Sequence, residues 1–356
     1  MEINNELLEI FSLITPGTKL RDGIFNILDG ARGGLIVVGL SDEIKSISDG
    51  GFFINCDYTP ERLFELAKMD GALIIDENVE KIYYANVQLH PSREFITTES
   101  GTRHRTAQRV ALQTGKMVIT ISERRRSVTI YKGELKYKLR SISLVAEQAT
   151  QALKTLEKYR NVLDREISRL TLLELEDLVT MDEVASVAQR FEMIYRIKKE
   201  LKTYVAELGI EGRLIKLQIK ELLLELKEEK INFIKDYYKG EKDDFDINFI
   251  NCELEKLSDT ELLELEKFTS ILGHGKTQSS LYNKVVPKGY RVLSKIRKLS
   301  KKDIEKLIDI YENLTDIQDA SEADLLNIKG ISKFKIKALK QEFKRIKNIN
   351  EMGIEV

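Results

Sequence analysis

Near Ser141 the chain exchanges one hydrophobic period for another, and that switch divides it before any motif is considered. Upstream, short apolar runs alternate with helical spacing, punctuated by Gly33-Gly34, Gly50-Gly51 and Gly115. This is the pattern of a mixed α/β domain built on one central sheet. The spacing predicts helices over Glu6–Ile14, Leu20–Leu28, Pro60–Met69 and Arg103–Gln113. It predicts strands over Leu35–Leu40, Ala72–Asp76, Ile82–Leu89, Met117–Ser122 and Val128–Tyr131. Downstream, glycines thin out and apolar residues fall into helical stripes. Leu153, Leu156, Leu163, Ile167 and Leu170 form one; Val184, Val187, Phe191, Ile194, Leu201 and Leu208 form another. A third helix follows Gly212 through Leu214, Leu217, Leu224 and Phe233. Opposing charged faces call for packed antiparallel helices or a coiled-coil-like spine, with no catalytic constellation among them. A loop around Pro287 interrupts the helices. The expected domains are 1–140, an α/β domain; 141–286, an all-α spine; and 287–356, a small lysine-rich helical module.

At 356 residues the chain exceeds one ordinary core. With 32% charged and 42% hydrophobic residues it has a soluble globular profile. A formal net charge of −1 excludes a globally cationic nucleic-acid binder and confines any such contact to a local basic patch. Cys56 and Cys252 are expected to be free thiols, and three histidines without a Cys/His cluster argue against structural zinc. The longest apolar run, Gly34–Leu40, is too short to span a bilayer. The acidic opening MEINNELLEIF lacks a basic flank, so a cytoplasmic protein is expected.

Three segments of the first domain could carry chemistry. Asp70-Gly71-Ala72 sits where a helix meets a strand; small residues leave room for a ligand, and the carboxylate could hold a divalent metal or accept a proton. The same triplet could be an ordinary turn. Gly101-Thr102-Arg103-His104-Arg105-Thr106 opens an amphipathic helix. Free N–H groups, the helix dipole and two arginines make an anion site that suits a polyphosphate, the other reading being a solvated basic turn capped by Thr102. Ser122-Glu123-Arg124-Arg125-Arg126 either adds positive charge nearby or forms an exposed hairpin turn.

Ser270-Ile271-Leu272-Gly273-His274-Gly275-Lys276-Thr277 ends like a P-loop, but serine replaces its first glycine and no strand precedes it, so a helix–helix turn is expected. Near the C-terminus, Ser321-Glu322-Ala323-Asp324 reads as a capping box opening a short helix. Asn327-Ile328-Lys329-Gly330-Ile331-Ser332 then turns into a second helix reaching about Ile346. This resembles a helix-hairpin-helix motif, whose turn offers N–H groups to DNA phosphates without reading bases. Lys329, Gly330, Ile331, Ser332, Lys333 and Lys335 are its DNA-binding candidates, with Lys337 and Lys340 adding charge. Ser332 stands where a second glycine is usual, and Ile336 where a small residue is typical; plain helix packing is the other reading.

Together the first-domain segments resemble the diadenylate cyclase family. The resemblance is carried by Tyr58-Thr59-Pro60 through Ala67-Lys68-Met69-Asp70-Gly71-Ala72, by Tyr84-Ala85-Asn86-Val87-Gln88-Leu89, and by Gly101 through Ala107. Paired Asp-Gly-Ala and Arg-His-Arg motifs in this order are the family signature. Pro16 through Gly23 and Lys288-Gly289-Tyr290-Arg291 resemble its DNA-integrity-scanning branch. The resemblance implies an enzyme that condenses two ATP into cyclic di-AMP with Mg2+ or Mn2+. It implies Asp70 at the attacking 3′-hydroxyl and the metal, and Gly71, Ala72 and Leu89 around the nucleoside. Thr102, Arg103, His104, Arg105 and Thr106 would hold the triphosphate, with Ser122 close by. It further implies a homo-oligomer, an octamer in the family, with two cyclase domains sharing one chamber, and branched DNA as a partner. An ATP-sensing DNA-binding scaffold and a nucleotidyltransferase acting on nucleic-acid ends are the rival readings.

Overall fold

The computed structural model describes residues 5–240 and 246–351. The first four residues of the opening stretch and the last five of the expected C-terminal module lie outside them. In chain order the elements begin α1 (Asn5–Ile14), α2 (Lys19–Asp29), β1 (Gly34–Val38), α3 (Asp42–Ser46), β2 (Ser48–Asp49), β3 (Phe52–Asp57) and α4 (Pro60–Leu66). They continue β4 (Ala72–Ile75), β5 (Lys81–Leu89), α5 (Thr102–Thr114), β6 (Met117–Ser122), β7 (Ser127–Lys132) and β8 (Leu135–Lys138). Helices then take over: α6 (Ile142–Leu175), α7 (Met181–Leu208), α8 (Arg213–Leu222), α9 (Leu226–Tyr237), α10 (Ile247–Lys256) and α11 (Leu265–Ile271). Last come α12 (Tyr290–Ser294), α13 (Lys301–Tyr311), α14 (Leu314–Asp319), α15 (Glu322–Leu326) and α16 (Lys333–Glu351).

The strands form one mixed sheet in the order β2-β5-β4-β1-β6-β7-β8, with β3 also paired to β5. Only β1 and β4 run parallel; every other pair is antiparallel. Alternate residues of the same strands supply two cores, as a period of two requires. Ile36, Val38, Leu73 and Ile75 pack with α1, α2 and α4 through Leu7, Ile24 and Leu63. Leu35, Val37, Ile74 and Val118 pack on the opposite face with α5 through Ala107, Val110 and Ala111. Five consecutive buried residues in β1 follow from this double coverage.

Two compact units partition the chain: Met1–Gln151 with Glu200–Leu217, and Ala152–Lys199 with Gln218–Val356. The division differs from the expected boundaries at 140 and 286 because ionic contacts cut across them. Within the first unit, buried Glu207 at the end of α7 accepts from the Tyr137 hydroxyl and pairs with Arg140. Within the second, the Lys288–Arg291 loop is bound to buried carboxylates. Asp236 accepts from the N–H groups of Gly289 (2.8 Å), Tyr290 (2.6 Å) and Arg291 (3.0 Å), while the fully buried Arg291 guanidinium pairs with Glu174. The expected third helix is two, α8 and α9, broken where Glu225 takes φ +62°.

Candidate active site

Register brings the scattered motifs to one edge of the sheet. Ala72 opens β4 opposite Val87, two residues before the end of β5 at Leu89. Gly34 opens β1 opposite Ile121, one residue before the end of β6 at Ser122. Asp70-Gly71-Ala72, Leu89, Gly33 and Ser122 therefore share the edge at which β1 and β4 start and β5 and β6 finish. Tyr84, Val87 and Leu89 of β5 and Val118 of β6 join the cluster on the face that α5 covers.

The Asp70 carboxylate is exposed just beyond α4. Gly71 beside it has φ +95°, and a Cβ there would fall 2.8 Å from the Asn86 carbonyl carbon and 2.9 Å from Val87 O. The triplet is thus pressed against β5 where that strand bulges, with Asn86 itself at φ +56°. Only glycine meets both demands.

Opposite stands the start of α5. Its N-cap is Gly101, with no side-chain cap, so Thr102 is the first helical residue and not the cap. Arg105 N–H already reaches Gly101 O at 2.8 Å, leaving the preceding N–H groups open. No acidic residue lies in the first turn, although α2, α3, α4, α7 and α13 all carry one. Placing Arg103 and Arg105 at the positive end of a helix dipole costs about 0.3–1 kcal/mol each unless an anion is bound there. The Arg103 guanidinium lies over Gly33, where any Cβ would collide with it and would also sit 3.3 Å from Ile121 O. That contact fastens Arg103 to the β1–β6 edge. Thr102 and Arg105 are exposed and Thr106 is half-buried.

His104 faces inward. Its Nδ1 lies 2.9 Å from the Tyr131 hydroxyl and 3.1 Å from the Thr120 hydroxyl. Tyr131 donates to Glu99 at 3.0 Å, and Glu99 is ion-paired with Lys136. Burial pushes the His104 imidazole below its ordinary value; Glu99 opposes this, and the charges of Arg125, Lys136 and Arg103 reinforce it. Ser122 closes β6, its hydroxyl accepting from Arg125 N–H at 3.3 Å. Residues 123–126 form an exposed hairpin turn, whose Arg125 nonetheless acts electrostatically on His104. Gly33, Glu99, Thr120, Tyr131 and Lys136 were not legible as site residues, because only strand register and loop closure bring them to the helix.

The last part of the lysine-rich module folds as α15, a turn and α16. Ser321 caps α15 by accepting from Asp324 N–H at 3.2 Å, and Ser332 accepts from Lys335 N–H at 3.4 Å. Gly330 has φ +101°. Ile328, Ile331, Ile336 and Leu339 join one buried cluster, which explains the large residue at 336. Lys329, Lys333 and Lys337 are exposed, whereas Lys335 pairs with Asp303 at 2.8 Å and donates to Gly330 O at 3.0 Å. Lys340 donates to the carbonyls of Gln318 and Ala320, both at 2.6 Å. The segment ending in Gly-Lys-Thr starts in the last turn of α11, bends through Gly273 and Gly275 and leads into a 3-10 turn at Gln278–Tyr282, with no strand before it. Among the described residues no three His, Cys, Asp or Glu side chains come together to hold a metal, and no helix is long and apolar enough to cross a membrane.

A mixed α/β domain that sets a carboxylate and strand ends against an uncapped basic helix start is a nucleotide-binding domain, here followed by helices. The bacterial checkpoint controller DisA nucleotide-binding family matches residues 21–135, and the DisA linker-region family matches residues 139–281. The DNA integrity scanning protein DisA of Fusobacterium nucleatum is 49% identical over 347 residues, 98% of each chain. That of Bacillus thuringiensis (strain Al Hakam) is 45% identical over 340 residues, 96% of this chain and 94% of the relative. The chain belongs to the DisA family, and it is a diadenylate cyclase.

Proposed function

We propose that the enzyme condenses two ATP molecules into cyclic di-AMP, releasing two pyrophosphates. The reading is carried by the meeting of Asp70-Gly71-Ala72 and the uncapped Thr102–Thr106 helix start at one sheet edge. The triphosphate lies along the open N–H groups of α5, with Arg103, His104, Arg105 and Thr106 contacting its oxygens and Ser122 beside it. Gly71, Ala72 and Leu89 line the nucleoside pocket. Each 3′-hydroxyl oxygen attacks the α-phosphorus of the other ATP, forming one P–O bond as the bond to pyrophosphate breaks. The hydroxyl proton passes to Asp70 or solvent. In-line placement and charge neutralisation supply most of the acceleration.

An exposed carboxylate that belongs to no cluster of three metal-ligating side chains among the described residues suits a hard divalent cation that keeps its waters and takes phosphate oxygens. Mg2+ or Mn2+ held at Asp70 would neutralise charge on the triphosphate. Because the product is two-fold symmetric, two such edges facing each other in a homo-oligomer, an octamer by family analogy, would make one chamber.

The α15–α16 turn is a helix-hairpin-helix that binds branched DNA through phosphates and lowers cyclase activity. Its candidate contacts are Lys329, Gly330, Ile331, Ser332 and Lys333. Lys335 supports the turn from within, given its bonds to Asp303 and Gly330 O. Mass spectrometry of the products formed from ATP with either metal tests the enzyme reading; gel-shift of a branched duplex tests the DNA reading.

A further inference from the structure

Beyond the residues assigned to the nucleotide, we propose that Glu99 and Tyr131 are positioning residues for His104. They hold its imidazole as the Nδ1–H tautomer and leave Nε2 open to the triphosphate at the start of α5. This rests on the nucleotide site proposed above.

The assignment comes from counting protons. A hydroxyl has one to give. That of Tyr131 goes to Glu99, an ionised acceptor: burial works against the charge, but Lys136 and Tyr131 hold the carboxyl below its usual range. That of Thr120 goes to the Thr129 carbonyl at 3.2 Å. Both oxygens therefore meet His104 Nδ1 as acceptors, at 2.9 and 3.1 Å, and the proton between them belongs to the ring. Tyr131 is 1% exposed and Thr120 0%, so water does not compete. The bond made by one ring nitrogen fixes what the other can offer: with Nδ1–H held by the two hydroxyl oxygens, Nε2 is left for the ligand and donates to a triphosphate oxygen once the ring takes up a second proton, which the ligand's negative charge favours.

The network is also tied to the helix it serves. Glu99 ends a loop pinned to α5 by Ser92 N–H to Gln113 (2.9 Å), Arg109 Nε to Phe95 O (3.0 Å) and Thr97 to Gln108.

Nitrogen-15 correlation spectra of the imidazole rings report tautomers directly. The full chain has three histidines, so loss of one signal in His104→Gln assigns it. Wild-type His104 is expected as Nδ1–H. Tyr131→Phe removes one oxygen from an otherwise intact core ring and should shift His104 toward the Nε2–H form. It should also weaken binding of an ATP analogue with a methylene between the α and β phosphates by about ten- to hundredfold, because the imidazolium that donates to phosphate loses an acceptor for its Nδ1–H, one hydrogen bond to a charged group. Glu99→Gln keeps an acceptor for the tyrosine, so it should keep the tautomer and lose less affinity. If Tyr131→Phe leaves His104 wholly Nδ1–H, or leaves analogue binding unchanged, the assignment is overturned. Neither readout needs turnover, so a wild-type protein that binds the analogue yet makes no cyclic product would overturn the functional reading alone.

Discussion

Asp70 and Gly71 are neighbours with separable duties. The carboxylate is exposed and accepts no bond that the fold needs, whereas the glycine backbone is pressed onto the bulge of β5. Asp70→Asn is expected to cut cyclic di-AMP formation by about 10²–10⁴-fold while leaving the melting temperature close to wild type and much of the analogue binding in place. Gly71→Ala is expected to destabilise the α/β unit by roughly 2 kcal/mol or more, from left-handed strain and the backbone clash. Its denaturant midpoint should fall accordingly, and a midpoint equal to wild type would contradict the assigned contact. At this scale the family motifs were legible because they are contiguous. Glu99, Tyr131 and Gly33 were not, since each acts through a partner far away in sequence.

Among the elements, those that interrupt their own period escaped the sequence. Phe52–Asp57 is strand β3, but Asn55 at φ +45° breaks its alternation, and β8 is only four residues long. Helix starts were read unevenly for a related reason. The predicted cap at Ser321 is present, yet the full capping box lies at Ser300 and Asp303, inside a stretch read only as lysine-rich. Burial pushes the Asp303 carboxyl upward, but Lys335 and Ser300 outweigh it and bring it from 3.8 to about 2. A depressed carboxyl stabilises the fold above its unfolded value and loses that contribution as pH falls through the folded one. Asp303→Ala should therefore cost about 1 kcal/mol at neutral pH, and the gap from wild type should close between about pH 4 and pH 2. A gap independent of pH would remove the ionised carboxylate from the account. In the following turn, Gly330→Asp should weaken DNA binding most, by placing negative charge and a strained side chain against phosphate; gel-shifts at rising salt should show wild-type affinity falling steeply.

For the whole molecule, the change of period at Ser141 located the end of the sheet but not the division into compact units. That division depends on buried ionic contacts such as Arg140–Glu207 and Arg291–Glu174, whose partners lie 67 and 117 residues apart. It also decides how coupling can be tested. Ending the chain at Lys284 would remove the guanidinium that pairs with buried Glu174 and the N–H groups bound by buried Asp236, a strongly destabilising change. Reversing the exposed Lys329 and Lys333 to Glu is the cleaner intervention: cyclase activity should persist and its inhibition by branched DNA should vanish. If the chamber is shared between two domains, specific activity should also fall on dilution into the range where light scattering detects dissociation. The most direct test of the central claim is mass spectrometry of purified protein incubated with ATP and Mg2+ or Mn2+. Cyclic di-AMP with two pyrophosphates per molecule, cut by about 10²–10⁴-fold in the Asp70→Asn protein, is the predicted result; ATP recovered unchanged, or adenylate found only on nucleic-acid ends, would contradict it.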